Sequence, residues 1–116
     1  MSRRSEVLLW GAQRFSAMVL ALCVVVHLLT MIYAVRSGLS AAEILGRTRG
    51  SIAWFGFYTL FVCAVAVHAP IGLRTIISET CNWRGRRLDL LTGVIALSLA
   101  MWGMRAVFGV FGAGAA

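Results

Sequence analysis

Very few side chains in this sequence could carry chemistry. His27 and His68 each lie inside an apolar run long enough to cross a bilayer, where an ionisable group is costly and marks a functional site by default. Neutral imidazole on an inward helix face is a standard axial ligand for haem iron, and two histidines on neighbouring helices suit a bundle core. The plainer alternative is that each imidazole hydrogen-bonds a carbonyl across helices. Around the second histidine the chain reads His68-Ala69-Pro70-Ile71-Gly72-Leu73-Arg74. Gly72 falls one turn further along the face of His68, so a flat, bulky ligand could lie against the backbone beside the imidazole. Arg74, at the helix mouth, suits a haem propionate or an anionic headgroup, because its planar fork pairs bidentately with carboxylates. Near the first run, Trp10 belongs at headgroup level and Arg14 reads by position as an anchor reaching for phosphates. Ser16 has a common membrane alternative, a bond back to its own helix carbonyl.

Beyond these residues the sequence shows no constellation of the kind that soluble enzymes use. It has no glycine-rich phosphate loop, no paired carboxylates, no Ser/His/Asp set and no closely spaced metal-ligand cluster. No catalytic residue is expected in the chain itself. The three cysteines, Cys23, Cys63 and Cys81, form no CxxC pair and read as small packing residues without a disulfide framework.

The elements that position the histidines follow from composition. A chain of 116 residues, 60% hydrophobic and 13% charged, is too short for several domains and too apolar for an ordinary soluble one. It reads as a single domain, 1–116, with an all-α fold: an integral membrane bundle of three transmembrane helices over about 15–36, 52–77 and 88–110. Each run supplies the ~20 apolar residues that cross ~30 Å of hydrocarbon. Ahead of the first span, the short apolar patch from Val7 to Trp10 is expected at the interface. The connection 37–51 reads as a polar loop with one short helix over 41–45. Pro70 removes a backbone hydrogen bond within the second span and favours a local kink just after His68. Gly103, Gly109 and Gly112 read as close-packing positions. No secretory signal is expected, since Glu6 and the lack of a small-residue cleavage site argue against one.

Charge then orients the bundle. The net charge of +7 comes with eleven basic residues, all arginine, placed at the ends of apolar runs. That is the placement of membrane anchors rather than of a nucleic-acid surface. Arg3, Arg4, Arg14, Arg74, Arg84, Arg86 and Arg87 outnumber Arg36, Arg47, Arg49 and Arg105 by seven to four. The positive-inside rule therefore predicts a cytoplasmic N-terminus and a periplasmic C-terminus in the cell inner membrane.

Gln13-Arg14-Phe15-Ser16 at the entry to the first span, with His68-x-x-x-Gly72-x-Arg74 and Glu79 in the second, resembles the cytochrome b membrane-anchor subunits of succinate dehydrogenase and fumarate reductase. The resemblance covers nearly the whole chain. It implies that His68 is an axial ligand of haem b, with Gly72 and Arg74 beside it, and that Arg14, with Ser16 and Trp10, contributes to a site for ubiquinone or menaquinone. It further implies a flavoprotein subunit, an iron-sulfur subunit and a second membrane-anchor subunit as partners, with membrane lipid around them. The chain departs from many relatives in carrying Gln13 where they have histidine, Trp10 where the best-known quinone sites have serine, and Thr80 after Glu79. His27 corresponds to a ligand position only in two-haem members of the wider family. Counting from Arg14 and from Glu79 as the cytoplasmic ends puts His27 and His68 at depths within roughly 3 Å of each other. That permits an intrachain ligand pair, whereas the family favours a histidine from the second anchor. The alternative function is a small transporter or assembly protein using His27 and His68 as a proton path or as interhelical contacts.

Overall fold

Residues 2–112 are described by a computed structural model, and they form four helices: α1 Arg3–Arg36, α2 Ala41–Thr48, α3 Ile52–Thr80 and α4 Arg86–Phe111. Three of these, α1, α3 and α4, are long and apolar enough to cross a membrane. Among the described residues the fold is all-α. The central helix is α3, which packs against α1 on one side and α4 on the other.

Local chemistry sets the boundaries. Ser2, Ser40 and Ser51 cap α1, α2 and α3, each hydroxyl accepting from the backbone N–H three residues on, at 3.2, 3.2 and 3.3 Å. Gly38 and Gly50, both at φ +67, take the left-handed conformation that ends α1 and α2, which costs a glycine no steric clash. The loop helix is one turn longer than expected because Ser40 and Glu43 form a capping pair and Gly46 stays helical, the left-handed turn coming only at Gly50.

The first helix also differs from expectation. The segment 3–14 is its opening rather than a separate interfacial patch, since Ser2 caps the chain there and nothing between Arg3 and Arg14 breaks the helix. At ~1.5 Å per residue, 34 helical residues span about 50 Å, roughly 20 Å more than the hydrocarbon requires. The surplus carries Trp10 and Arg14 alongside the end of α3. Pro70 does not interrupt α3, which stays helical from Ile52 through Thr80. Its ring is buried, in a groove also lined by Leu9 of α1 and by Thr92 and Gly93 of α4.

Small residues bring the helices together. The buried residues of α1 are Ser16, Cys23 and Ala34, spaced seven and eleven apart and so on one line along the helix. Between α3 and α4, a Cβ on Gly103 would stand 2.5 Å from Val62 Cγ1, so glycine is required for this close approach. Gly109 has open space around its Cβ direction and plays no such part. The far end is closed by Phe55 against Phe108 and Phe111, with ring centroids 5.4 and 5.0 Å apart, and by the Gly50 N–H donating to the Phe111 carbonyl at 2.9 Å. Leu22, Leu29, Leu97 and Trp102 are among the large apolar side chains left outward, as expected where the solvent is lipid or another hydrophobic chain.

Candidate functional site

The candidate site lies where α1 and the last turns of α3 run side by side. Gln13 and Ser16 are three residues apart on α1 and face α3, whereas Arg14 is turned away from that face by the 100° step of the helix. Ser16 is 4% exposed. Its hydroxyl donates to the Gln13 carbonyl at 3.0 Å and lies 3.4 Å from His68 Nδ1 on α3. His68 itself is half-buried. One turn on, a Cβ at Gly72 would meet Gln13 Nε2 at 3.1 Å, so the space beside Gly72 accommodates the Gln13 amide. The other end of that amide, Oε1, is buried and has no hydrogen-bond partner.

Next to this contact opens a cleft of about 560 Å³, lined among others by Glu6, Trp10, Gln13, Arg14, Gly72 and Arg74. The Arg14 guanidinium sits over the Trp10 ring, 5.1 Å from its centroid, an arrangement that orients the cation without neutralising it. Arg74 is held differently. Its Nε bonds Asp89 Oδ1 of α4 at 2.8 Å. Asp89 stands in the first turn of α4, where a carboxylate is favoured by the helix dipole. The pair is half-exposed and thus contributes little to stability, about 0–1 kcal/mol.

The sequence-derived residues therefore fall into three groups. Trp10, Arg14, Gly72 and Arg74 share the cleft. Ser16 is not among its lining residues and touches His68 instead. His27 is elsewhere, edge-on to Phe61 at 6.0 Å between ring centroids, with Nδ1 buried and unpartnered. Phe61 precedes His68 by seven residues, and Ser16 precedes His27 by eleven. The two histidines are thus separated along the bundle by roughly 10–16 Å at ~1.5 Å per residue. This separation exceeds the roughly 3 Å that counting along the sequence gives, and it argues against one iron between His27 and His68. Two residues escaped the sequence reading. Gln13 enters the sequence reading as the head of a motif and as a departure from relatives, with no role of its own, yet its amide fills the contact beside Gly72. Asp89 was one acid in an apolar run, and its pairing with Arg74 across fifteen residues had no local signal.

Among the described residues, no three His, Cys, Asp or Glu side chains converge on one point. An iron bound at His68 would need its equatorial ligands from a porphyrin, and a half-buried imidazole one turn inside the cleft is a donor of the kind that such an iron takes.

A bundle of three helices long and apolar enough to cross a membrane, with a cleft lined by charged side chains at one rim and an imidazole just below it, defines an integral membrane subunit rather than a soluble enzyme. A family model described as succinate dehydrogenase/fumarate reductase transmembrane subunit matches residues 1–111. The chain belongs to that family. Searches of curated proteins and of solved structures return no match. Membership makes the chain a multi-pass membrane subunit and implies association with the other subunits of such a complex.

Proposed function

We propose that this chain is a haem b-carrying anchor of a succinate:quinone oxidoreductase, with His68 as one axial ligand and the cleft around Arg14 as its part of the quinone site. The observation that carries the reading is the juxtaposition of His68 with the cleft. The imidazole lies one helical turn from Gly72, which lines the cleft together with Arg14 and Trp10. Family membership favours this over the transporter or assembly reading.

In this reading the chain has no part in oxidising succinate. The flavoprotein subunit does that, and the iron-sulfur subunit delivers electrons at the rim. The Arg14 guanidinium, held over Trp10, donates a hydrogen bond to a quinone oxygen and stabilises the negative charge that develops there on reduction. Bound haem b supplies a one-electron store between the iron-sulfur subunit and quinone. His68 would hold it from this chain with Gly72 beside it, Arg74 would balance a propionate in competition with Asp89, and the second anchor subunit would supply the other protein ligand. His27 serves this haem only as packing. The arginine distribution orients the N-terminus and the cleft toward the cytoplasm in the inner membrane.

The test is the absorption spectrum of the detergent-purified complex and of its His68→Ala variant. A dithionite-reducible b-type band, lost or severely disturbed in the variant, is expected. A normal band in His68→Ala overturns the assignment.

A further inference from the structure

We infer that Ser16 is a positioning residue for His68, which fixes the imidazole as its Nδ1–H tautomer and so leaves Nε2 as the nitrogen free to ligate iron. The inference rests on the reading of His68 as a haem ligand. It departs from the resemblance, which places Ser16 with the quinone.

The direction of the hydrogen bonds follows from counting protons. A serine hydroxyl has one proton to give and two lone pairs to accept with. Ser16 Oγ has two polar neighbours, the Gln13 carbonyl oxygen at 3.0 Å and His68 Nδ1 at 3.4 Å. The single hydroxyl proton is assigned to the Gln13 carbonyl, the nearer neighbour and one that can only accept, whereas an imidazole nitrogen can also donate. With that assignment a lone pair faces the imidazole, and Nδ1 is the donor. The result is a directed chain from His68 Nδ1–H to Ser16 Oγ–H to the Gln13 carbonyl. Both partners come from one helix turn of α1, and the hydroxyl is buried, where a hydrogen bond is electrostatically stronger than in water.

Holding one ring nitrogen as donor is how proteins orient a ligating histidine, fix its tautomer and raise its basicity. A more basic imidazole favours ferric over ferrous iron. Ser16 thus lowers the reduction potential of a haem bound at His68. Within the motif Gln13-Arg14-Phe15-Ser16, Gln13 and Arg14 line the cleft while Ser16 lies below it against His68.

The experiment uses the purified complex with all its subunits. The midpoint potential of the b-type band is titrated, and the g-values of the ferric haem are read by electron paramagnetic resonance, in Ser16→Ala and Ser16→Thr. Expected is a retained band in Ser16→Ala with a raised potential and displaced g-values. A tenfold loss of preference for the ferric state corresponds to about 59 mV for one electron. Ser16→Thr keeps the hydroxyl and is expected to match the unsubstituted protein. An unchanged potential and g-values in Ser16→Ala overturn the inference. Should Ser16→Ala fail to assemble, Ser16→Cys takes its place, because a thiol is a poor acceptor; a raised potential supports the inference and an unshifted one overturns it. Retention of a normal haem signal in His68→Ala removes the underlying reading instead, whatever the Ser16 variants do.

Discussion

Replacing Gly103 with alanine tests how the α3/α4 contact supports the site. The added Cβ would stand 2.5 Å from Val62 Cγ1 and 3.0 Å from Cγ2, about 1 Å inside the ~3.5 Å at which carbon atoms attract. Val62 is branched at Cβ and has one strongly preferred rotamer in a helix, so it has little freedom to swing away. Strain of this kind costs about 1–3 kcal/mol, and the better helix propensity of alanine returns up to ~1 kcal/mol. The net expectation is a loss of about 1–2 kcal/mol, or a shift of α3 toward α1. Val62→Ala removes both clashing methyl groups, so the double variant Val62→Ala/Gly103→Ala should be more stable than Gly103→Ala, with a coupling of about 1–2 kcal/mol. Unfolding of the detergent-solubilised complex, followed by circular dichroism against denaturant, measures all four members of the cycle. Gly103→Ala with unchanged stability and no coupling to Val62 would refute the close approach and the central place of α3.

Three further outcomes are expected. His27→Ala should retain a low-spin haem band, since ~10 Å or more along the bundle separates it from His68; loss of the band in the spectrum of this variant as well as in His68→Ala would return the intrachain pair to consideration. Arg14→Leu should lower quinone reduction by about 100–1000-fold, the order of magnitude seen when an electrostatic donor is removed, while haem absorbance and assembly persist; Arg14→Lys should recover part of the rate because it restores charge without the planar fork, and a normal quinone reductase rate in Arg14→Leu would leave Arg14 as an anchor only. A topology reporter fused beyond residue 116 should read as periplasmic and one near Arg86 as cytoplasmic, with the reverse pattern displacing the cleft from the side of the iron-sulfur partner.

The three spans were legible because composition and run length determine them. Arg14 and Trp10 are legible as residues of the cytoplasmic rim, while their stacking on one face follows only from the continuous helix through 3–14. What composition cannot supply is the register between helices. Arg14 and Glu79 each end an apolar run, which sets them level by sequence, but α1 continues upward through Arg3. Gln13 is set against Gly72, seven residues short of Glu79. That slip of about 10 Å is why His27 and His68 seemed to share a depth, and why the contact of Ser16 with a histidine 52 residues away went unseen. Likewise the propionate expected at Arg74 had a competitor, Asp89, that only the packing of α4 on α3 brings near.

The two ends of the bundle are fastened by different physics. At the far end, Phe55, Phe108 and Phe111 interlock and the Gly50 N–H is tied to the carbonyl of Phe111, contacts that salt does not weaken. At the cleft, α3 and α4 are clasped by the half-exposed Arg74–Asp89 pair, whose strength falls with ionic strength and with any competing charge. Because that pair contributes at most about 1 kcal/mol, the two ends differ in how they answer salt more than in how firmly they hold. An anionic ligand or partner that takes Arg74 away from Asp89 exchanges one ion pair for another, while buried Leu88 and the aromatic end keep the spans in register.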